Sequence, residues 1–372
     1  MEPTRTSAVL TIDLDAIVAN WRQLARRVSP AACAAVVKAD AYGLGANRVA
    51  PALAAAGCRT FFVACIDEAI ALRAVLDDGE IYVLAGAPRG AGDEFAHHRL
   101  RPVLNSLPDI DAWAGFARRA PAAPAVAVHA DTGMRRLGLT PEEVALLAAD
   151  PERLAGVNVA CVMSHLACAD LPDHPLNEQQ CAAFVAFARV FPQARASLAA
   201  SSGIFLGPAY HGSLCRPGAA LYGISPVPGQ PNPMAQVLDL KARILQVRAV
   251  DGGESVGYGA TYRARRRERL VTVGVGYADG YLRSSSNRGH GCIGDIRMPL
   301  VGRVSMDLTV FDASDVPDEQ ARPGGIVELI GPHHPVDAVA ADAGTIGYEI
   351  LTNLGRRYHR VYRGGKRPEA GA

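Results

Sequence analysis

The feature that most constrains this chain is a repeated alternation. Up to about residue 225, a short apolar run rich in β-branched or small residues is followed each time by a longer stretch with helical spacing. The runs CAAVVKA, TFFVAC, IYVLAG, LRPVLN, AVAVHAD, VNVACVMSH, ARASLAAS and LCRPGAALYG are expected as strands. GANRVAPALAAAG, DEAIALRAVL, PDIDAWAGFARR, PEEVALLAAD and NEQQCAAFVAFARVF are expected among the helices between them. Roughly eight such alternations are what a closed (β/α)8 barrel of the TIM type requires, and that fold does its chemistry where strands end.

The proline-rich stretch SPVPGQPNPM, residues 225–234, reads as a linker. Beyond it come alternating runs, LDLKARILQVRAV, ERLVTVGVGYA and LVGRVSMDLTVFD, broken by glycine and asparagine. They predict a second, mainly antiparallel β domain, so that residues 1–230 form the barrel and 231–372 the addition. A chain of 372 residues exceeds what one core usually organises, which agrees. With 49% hydrophobic and 20% charged residues and a formal net charge of +1, neither a disordered chain nor a generic polyanion binder is expected. Nucleic acid is therefore not an expected partner. No run is long enough to span a bilayer and the first residues do not resemble a secretory leader, so a cytoplasmic location is expected. Eight cysteines without a C-x-x-C pair argue against zinc and against a disulfide framework.

Lys38 follows AAVV at a predicted strand end, which puts an ammonium at the barrel mouth among apolar walls. Desolvation lowers a lysine's pKa from about 10.4 and frees the amine as a nucleophile toward an aldehyde. A lysine that simply snorkels to solvent is the alternative. The surrounding segment, VVKADAYGLGA, closely resembles the pyridoxal-phosphate attachment segment of alanine racemases. The resemblance runs from IDLDAIVANW near the start to GTIGYEILTNLGRRYHRVY near the end, essentially the whole chain. It implies a racemase that interconverts L- and D-alanine, with Lys38 carrying pyridoxal 5'-phosphate.

The resemblance distributes further roles. ESVGYGATY implies that Tyr258 is the second proton carrier, opposite Lys38, and that it serves the site of the partner subunit in a homodimer. MSHLACAD implies that His165 contacts that tyrosine. CRPGAALYG implies that Arg216 faces the pyridine nitrogen; an arginine stays charged and is a poor proton donor, so the nitrogen would stay unprotonated, which favours reprotonation at Cα. Tyr42, Ser201, Gly218, Ala219 and Tyr348 would hold the phosphate, although LAASSG has Ala200 where the family has asparagine, and Ser202 could share the role. VGRVSMDLT implies that Met306 offers its backbone N–H to the substrate carboxylate. Tyr277 and Tyr348 would narrow the access channel, with Asp170, Arg283 and Arg303 in its outer ring. Read on residue type alone, Tyr258 is a packing tyrosine beside a glycine turn, His165 a satisfied core histidine, Arg216 an arginine in a loop before proline, and Met306 a strand residue.

The chain departs from the family pattern at His129. In HADTGMRRLG this histidine replaces a lysine that the family often carbamylates, and whose negative charge orients an arginine matched here by Arg136. Arg136 would touch the cofactor's phenolic oxygen and the substrate carboxylate. A neutral histidine cannot supply that charge: either an anion such as chloride replaces it, the reading preferred here, or other neighbours hold Arg136. Two rival functions remain: a same-fold racemase for serine or another small or basic amino acid, and a non-catalytic pyridoxal-phosphate binder. GVGYADG misfits the dinucleotide fingerprint by one residue and no helix is expected after it. RARRRERL, 263–270, is expected to be a solvated basic loop, and His333 and His334 with Asp337 a proline-flanked surface turn, with no metal assigned.

Overall fold

The computed structural model describes residues 6–120 and 122–365. It divides into two compact units, Ile17–Ala235 and a second one that joins residues 6–16 to Gln236–Gly365.

In the first unit seven parallel strands succeed one another in chain order: Ala35–Val36, Thr60–Val63, Glu80–Val83, Leu100–Leu104, Val126–His129, Val159–Met163 and Arg195–Ser197. Leu214–Cys215 is the eighth, and it closes the ring. On one side it pairs in parallel with Ala32–Cys33, and the amides of Ala34 and Val36 donate to Cys215 O and Pro217 O, both at 2.9 Å. On the other side Ser213 N–H donates to Ala196 O at 2.8 Å and Arg216 N–H to Ala199 O at 2.9 Å. The strands are largely buried on both faces, Thr60–Val63 along its whole length, which is why most read as apolar runs instead of alternating ones. Helices start where capping residues allow. Ser106 Oγ accepts from Asp109 N–H at 3.2 Å to begin Leu107–Ala117. Thr140 and Glu143 exchange reciprocal hydrogen bonds to begin Pro141–Ala149. The eight expected strands are all present, and helix Gly92–His97, too short to show a period, is an addition.

At the N-terminal ends of the barrel strands lies an ion cluster. Glu80 accepts from Arg101 at 2.6 Å, from Arg195 at a shorter distance, and from Thr60 Oγ1 at 3.0 Å; both arginines also donate to Tyr82 Oη. Glu80 and Arg195 sit on strands separated by three others, so they meet across the barrel interior.

The second unit is built around Leu238–Val250, thirteen residues whose alternation shows plainly in the sequence. This strand pairs antiparallel with Ala8–Asp13, Ile326–Ile330 and Glu268–Val273, the last of which pairs with Thr309–Asp312. The sheet is mainly antiparallel, and the exception is the pairing of Ala8–Asp13 with His359–Arg363, which is parallel. The expected boundary at residue 230 is corrected at the N-terminus. The first strand, expected in the barrel with the rest of 1–230, inserts into the sheet of the second unit, between Leu238–Val250 and His359–Arg363. Local pattern fixes that AVLTID is a strand; only long-range pairing decides whose. Two helices, Val336–Ala343 and Gly347–Thr352, also belong to this unit.

Burial alone opposes ionisation of Glu80, yet the hydrogen bonds and charges of Arg195 and Arg101 hold its carboxyl below the ordinary value of 4.5. A depressed carboxyl contributes stability that is fully present above 4.5 and lost as pH falls through the folded value. Replacing Glu80 with Gln leaves two guanidinium groups facing each other and is expected to cost about 2 kcal/mol at pH 7. Urea unfolding followed by circular dichroism should show that gap narrowing steadily below pH 4.5.

Candidate active site

Lys38 lies immediately beyond the last strand-like hydrogen bond of its run, from Val37 N–H to Phe62 O at 2.9 Å. The residues after it form a fixed turn. Ala39, Asp40, Ala41 and Tyr42 have φ of 52°, 54°, 53° and 54°, a complete left-handed turn without a glycine, ended by Gly43 at 80°. Each such residue costs about 1–2 kcal/mol, so other contacts must hold the turn. The Glu68 carboxylate accepts the N–H groups of Ala39 at 2.7 Å and Ala64 at 2.8 Å, and Asp40 Oδ1 accepts that of Ala46 at 2.7 Å. Tyr42 packs its ring 4.7 Å from that of Tyr222, whose hydroxyl donates to Val36 O. Burial, assisted by the Arg136 charge, lowers the Lys38 pKa against the opposing pull of Glu68.

Four more groups able to carry positive charge share this end of the barrel. Arg216 is 3% exposed; its guanidinium donates to Ser197 O at 2.7 Å, Ser197 Oγ at 2.5 Å and Ser164 O at 2.7 Å, with no carboxylate in ion-pair range among the described residues. Burial brings its pKa down to about 10, still charged at neutral pH. The His129 pKa falls to about 4 and that of His165 to about 3, in each case through burial first and the Arg216 charge second. Both imidazoles are therefore neutral at pH 7. Arg136 is exposed and has no hydrogen-bond partner among the described residues. The mouth is thus electropositive without being crowded by imidazolium, and suits an anionic ligand.

Nearby, Ser201 Oγ accepts the N–H groups of Gly218 at 3.0 Å and Ala220 at 3.1 Å. The Gly218 amide is therefore engaged with Ser201 instead of standing open, whereas Ala219 N–H has no acceptor among the described residues. Gly218 must be glycine: a Cβ there would run into the Tyr42 hydroxyl and stand 3.3 Å from Val36 Cβ. Asp170 is exposed in the loop after Val159–Met163.

The remaining residues singled out from sequence all lie in the second unit, and all but Tyr348 are on three loops. Tyr258 is 70% exposed and sits on a turn packed against Arg303, where a Cβ on Gly259 would approach the guanidinium to 3.3 Å. Tyr277 N–H donates to Ser305 O at 3.0 Å and Ala278 N–H to Met306 O at 2.9 Å, an approach so close that Gly276 has no room for a Cβ. Met306 is 55% exposed, and its N–H has no acceptor among the described residues. Arg283 begins a turn whose Ser286 Oγ accepts from Val304 N–H at 3.0 Å. Tyr348 is on the short helix Gly347–Thr352.

Sequence reasoning missed the braces. Asn105 Oδ1 meets His129 Nδ1 at 2.8 Å, and Gln180, fully buried, donates to His165 O at 2.9 Å and accepts from Ala167 N–H at 2.8 Å. Arg357 spans Asp279 and Asp307, both at 2.7 Å, and so ties the Tyr277 and Met306 loops together. Asn105 was detectable in principle, as the polar residue ending LRPVLN. Arg357 was not, since it acts across 78 residues, and Gln180 was not, since it reads as one more polar residue of the helix Leu176–Ala188. The basic cluster pairs with Asp315, Asp251 and Asp318. His334 is no surface turn: it is 1% exposed, its ring centroid lies 3.5 Å from that of His290, and both imidazoles share Asp342 Oδ2 at 3.1 and 2.8 Å.

A parallel barrel whose C-terminal mouth gathers a desolvated amine and two arginines defines an enzyme acting on a small anionic ligand. The family model for the alanine racemase N-terminal domain matches residues 12–226 and that for the alanine racemase C-terminal domain residues 237–362. The alanine racemase of Rhodospirillum rubrum is 55% identical over 99% of this chain and 98% of its own length, and that of Acidiphilium cryptum 53% identical over 95% and 98%. The crystal structure of alanine racemase from Bartonella henselae with covalently bound pyridoxal phosphate superposes with a TM-score of 0.92, at 43% identity, covering 96% of this chain and 100% of that one. The chain belongs to the alanine racemase family.

The left-handed turn makes a local prediction. Glycine adopts this conformation without a steric penalty, so replacing exposed Ala39 with Gly should raise the unfolding free energy by about 1 kcal/mol. In a right-handed helix the same change loses about 1 kcal/mol; a loss of that size in urea titrations would show Ala39 to be right-handed.

Proposed function

We propose that this chain interconverts L- and D-alanine with pyridoxal 5'-phosphate held at the barrel mouth, and that it works as a homodimer with shared sites. The observation that carries the reading is the desolvated Lys38 amine among Arg136, Arg216 and two neutral histidines. The residues fit the cofactor: an amine for its aldehyde, the engaged Ser201 and the unmet Ala219 amide with Tyr42 beside them for its phosphate, and a buried guanidinium with no acid partner for its ring. When bound, the cofactor supplies an electron sink for the substrate's Cα.

The chain's own residues then move the proton. Lys38, whose ammonium form burial and the Arg136 charge disfavour, would act as the base on one face. Tyr258 of a second copy would act on the opposite face, which its exposure permits. His165, neutral, would exchange a hydrogen bond with that phenol. Arg136 and Met306 N–H would bind the substrate carboxylate, with Tyr277 and Tyr348 narrowing the access channel toward Asp170, Arg283 and Arg303. Arg216 keeps its proton at neutral pH and so cannot hand it to the pyridine nitrogen. A small substrate such as alanine suits a mouth bounded by two phenols. The rival substrates and the non-catalytic binder lose support, since relatives matched along almost the whole chain are named alanine racemases. All eight cysteines are free thiols, and no helix among the described residues is long and apolar enough to cross a membrane, which supports a cytoplasmic location.

The purified protein should show an absorbance that borohydride shifts, with the reduced adduct mapping to Lys38. Tyr258→Phe should keep that absorbance and slow racemisation at least about a hundredfold in both directions. Chains carrying Lys38→Ala and Tyr258→Phe, inactive separately, should recover about a quarter of wild-type activity when co-expressed at equal levels, because only mixed dimers rebuild one intact site. No recovery would exclude sites shared between subunits.

A further inference from the structure

We infer that His290, His334 and Asp342, all in the second unit, form a binding site for one divalent transition-metal ion of the zinc class. The inference goes beyond the racemase reading and does not rest on it, since none of the three has a role at the barrel mouth.

Three elements deliver the side chains. His290 opens the strand His290–Ile293, and Asp342 belongs to the helix Val336–Ala343. His334 ends a turn in which Gly331 and His334 exchange backbone hydrogen bonds of 3.0 and 3.1 Å. Both histidines are buried, and Asp342 is partly exposed, which leaves an entry path and room for a water as fourth ligand. The three ligand atoms lie within 4.8 Å of one another, and no other group of three histidine, cysteine or acidic side chains does so among the described residues. Two ligands on one tetrahedral ion stand about 3.4 Å apart, so only a small adjustment is needed.

The direction of the donors matters more than their spacing. His290 Nδ1 meets Asp342 Oδ2 at 2.8 Å, and His334 Nε2 meets the same oxygen at 3.1 Å. A ring hydrogen and a ring lone pair share one direction, so two nitrogens that bond one atom also aim their lone pairs at one place. The rings stack with centroids 3.5 Å apart and a 30° tilt, which keeps that aim fixed. Asp342 Oδ1 meanwhile has no donor among the described residues, and His334 Nδ1 is buried without a partner. The hydrogen of His334 can therefore move from Nε2 to Nδ1 without breaking a bond there. His333 is arranged differently. Its Nε2 meets Asp295 at 2.9 Å and its Nδ1 meets Glu328 at 3.3 Å, so its two acids lie at different ring nitrogens and do not converge.

Two imidazoles and one carboxylate suit zinc, cobalt or nickel; magnesium and calcium prefer shells of oxygen. The Arg297 guanidinium acts on both rings and opposes a cation, but it is exposed, so water and salt screen it. Asp342 supplies the opposing charge at contact distance. A bound ion joins the strand to the helix, and its role is structural.

Full-length protein stripped with a chelator and titrated with Zn2+ by calorimetry should bind one ion per chain with a Kd of about 1 μM or below. Co2+ in its place should give the intense visible bands of a four-coordinate ion, without the thiolate absorption that binding at the free cysteines would produce. Asp342→Asn keeps an oxygen for the ring hydrogens and should weaken Zn2+ binding at least about a hundredfold, since even changes outside the ligand set cost about 10–100-fold. His333→Gln should leave binding unchanged. If circular dichroism shows Asp342→Asn unfolded, wild-type crystals grown with Zn2+ decide the matter, and anomalous diffraction at the zinc edge should place a peak between the three side chains. Wild type that binds no ion, a folded Asp342→Asn that binds as tightly, or crystals without that peak would each overturn the site.

Discussion

Closure of the barrel is the constraint on which the rest of the first unit depends. The eighth strand is only two residues long, yet the hydrogen bonds around it, from Ala32, Ala34 and Val36 on one side and to Ala196 and Ala199 on the other, convert an open parallel sheet into a ring. Once the ring is shut, every strand's C-terminal end lies on one rim. Lys38, His129, His165 and Arg216 are remote in sequence; adjacent strand pairing sets His129 beside His165, and closure brings the Arg216 segment round to the strand that ends before Lys38. The opposite rim carries the Glu80 cluster with Arg101 and Arg195, which has charge of both signs and a structural task.

The functional rim is built the other way. It collects cations and few acids, an arrangement that would repel itself if every group were charged. Burial resolves the conflict by keeping both histidines neutral, which leaves the guanidinium groups as the standing charges. The left-handed turn after Lys38 shows a similar balance of opposing terms. Four residues are held in an unfavourable backbone region by Glu68 and Asp40, the kind of local strain that persists only where surrounding contacts over-determine it.

Much of this was legible in the sequence, because its signals are local. Eight apolar runs, the Leu238–Val250 alternation and the segment around Lys38 each announce themselves within about a dozen residues. The site residues were legible through family resemblance to motifs, and their types alone pointed elsewhere for Tyr258, His165, Arg216 and Met306. What stayed hidden acts across distance. The Asn105 brace on His129 spans 24 residues and the Arg357 bridge to Asp279 spans 78. His334 gave no hint of burial because the ring it packs on, His290, lies far back along the chain, on the strand His290–Ile293.

By itself, then, the sequence determined the order and type of the elements, the lysine at a strand end, and the family, since all of these are written in spacing and composition. Tertiary structure decided which sheet the strand Ala8–Asp13 joins, which amide of the Gly218 segment remains open, and that Asn105 meets the His129 ring. The physical reason is the same for each. A hydrogen bond needs a donor and an acceptor within about 3 Å, and only the folded chain determines which groups come that close.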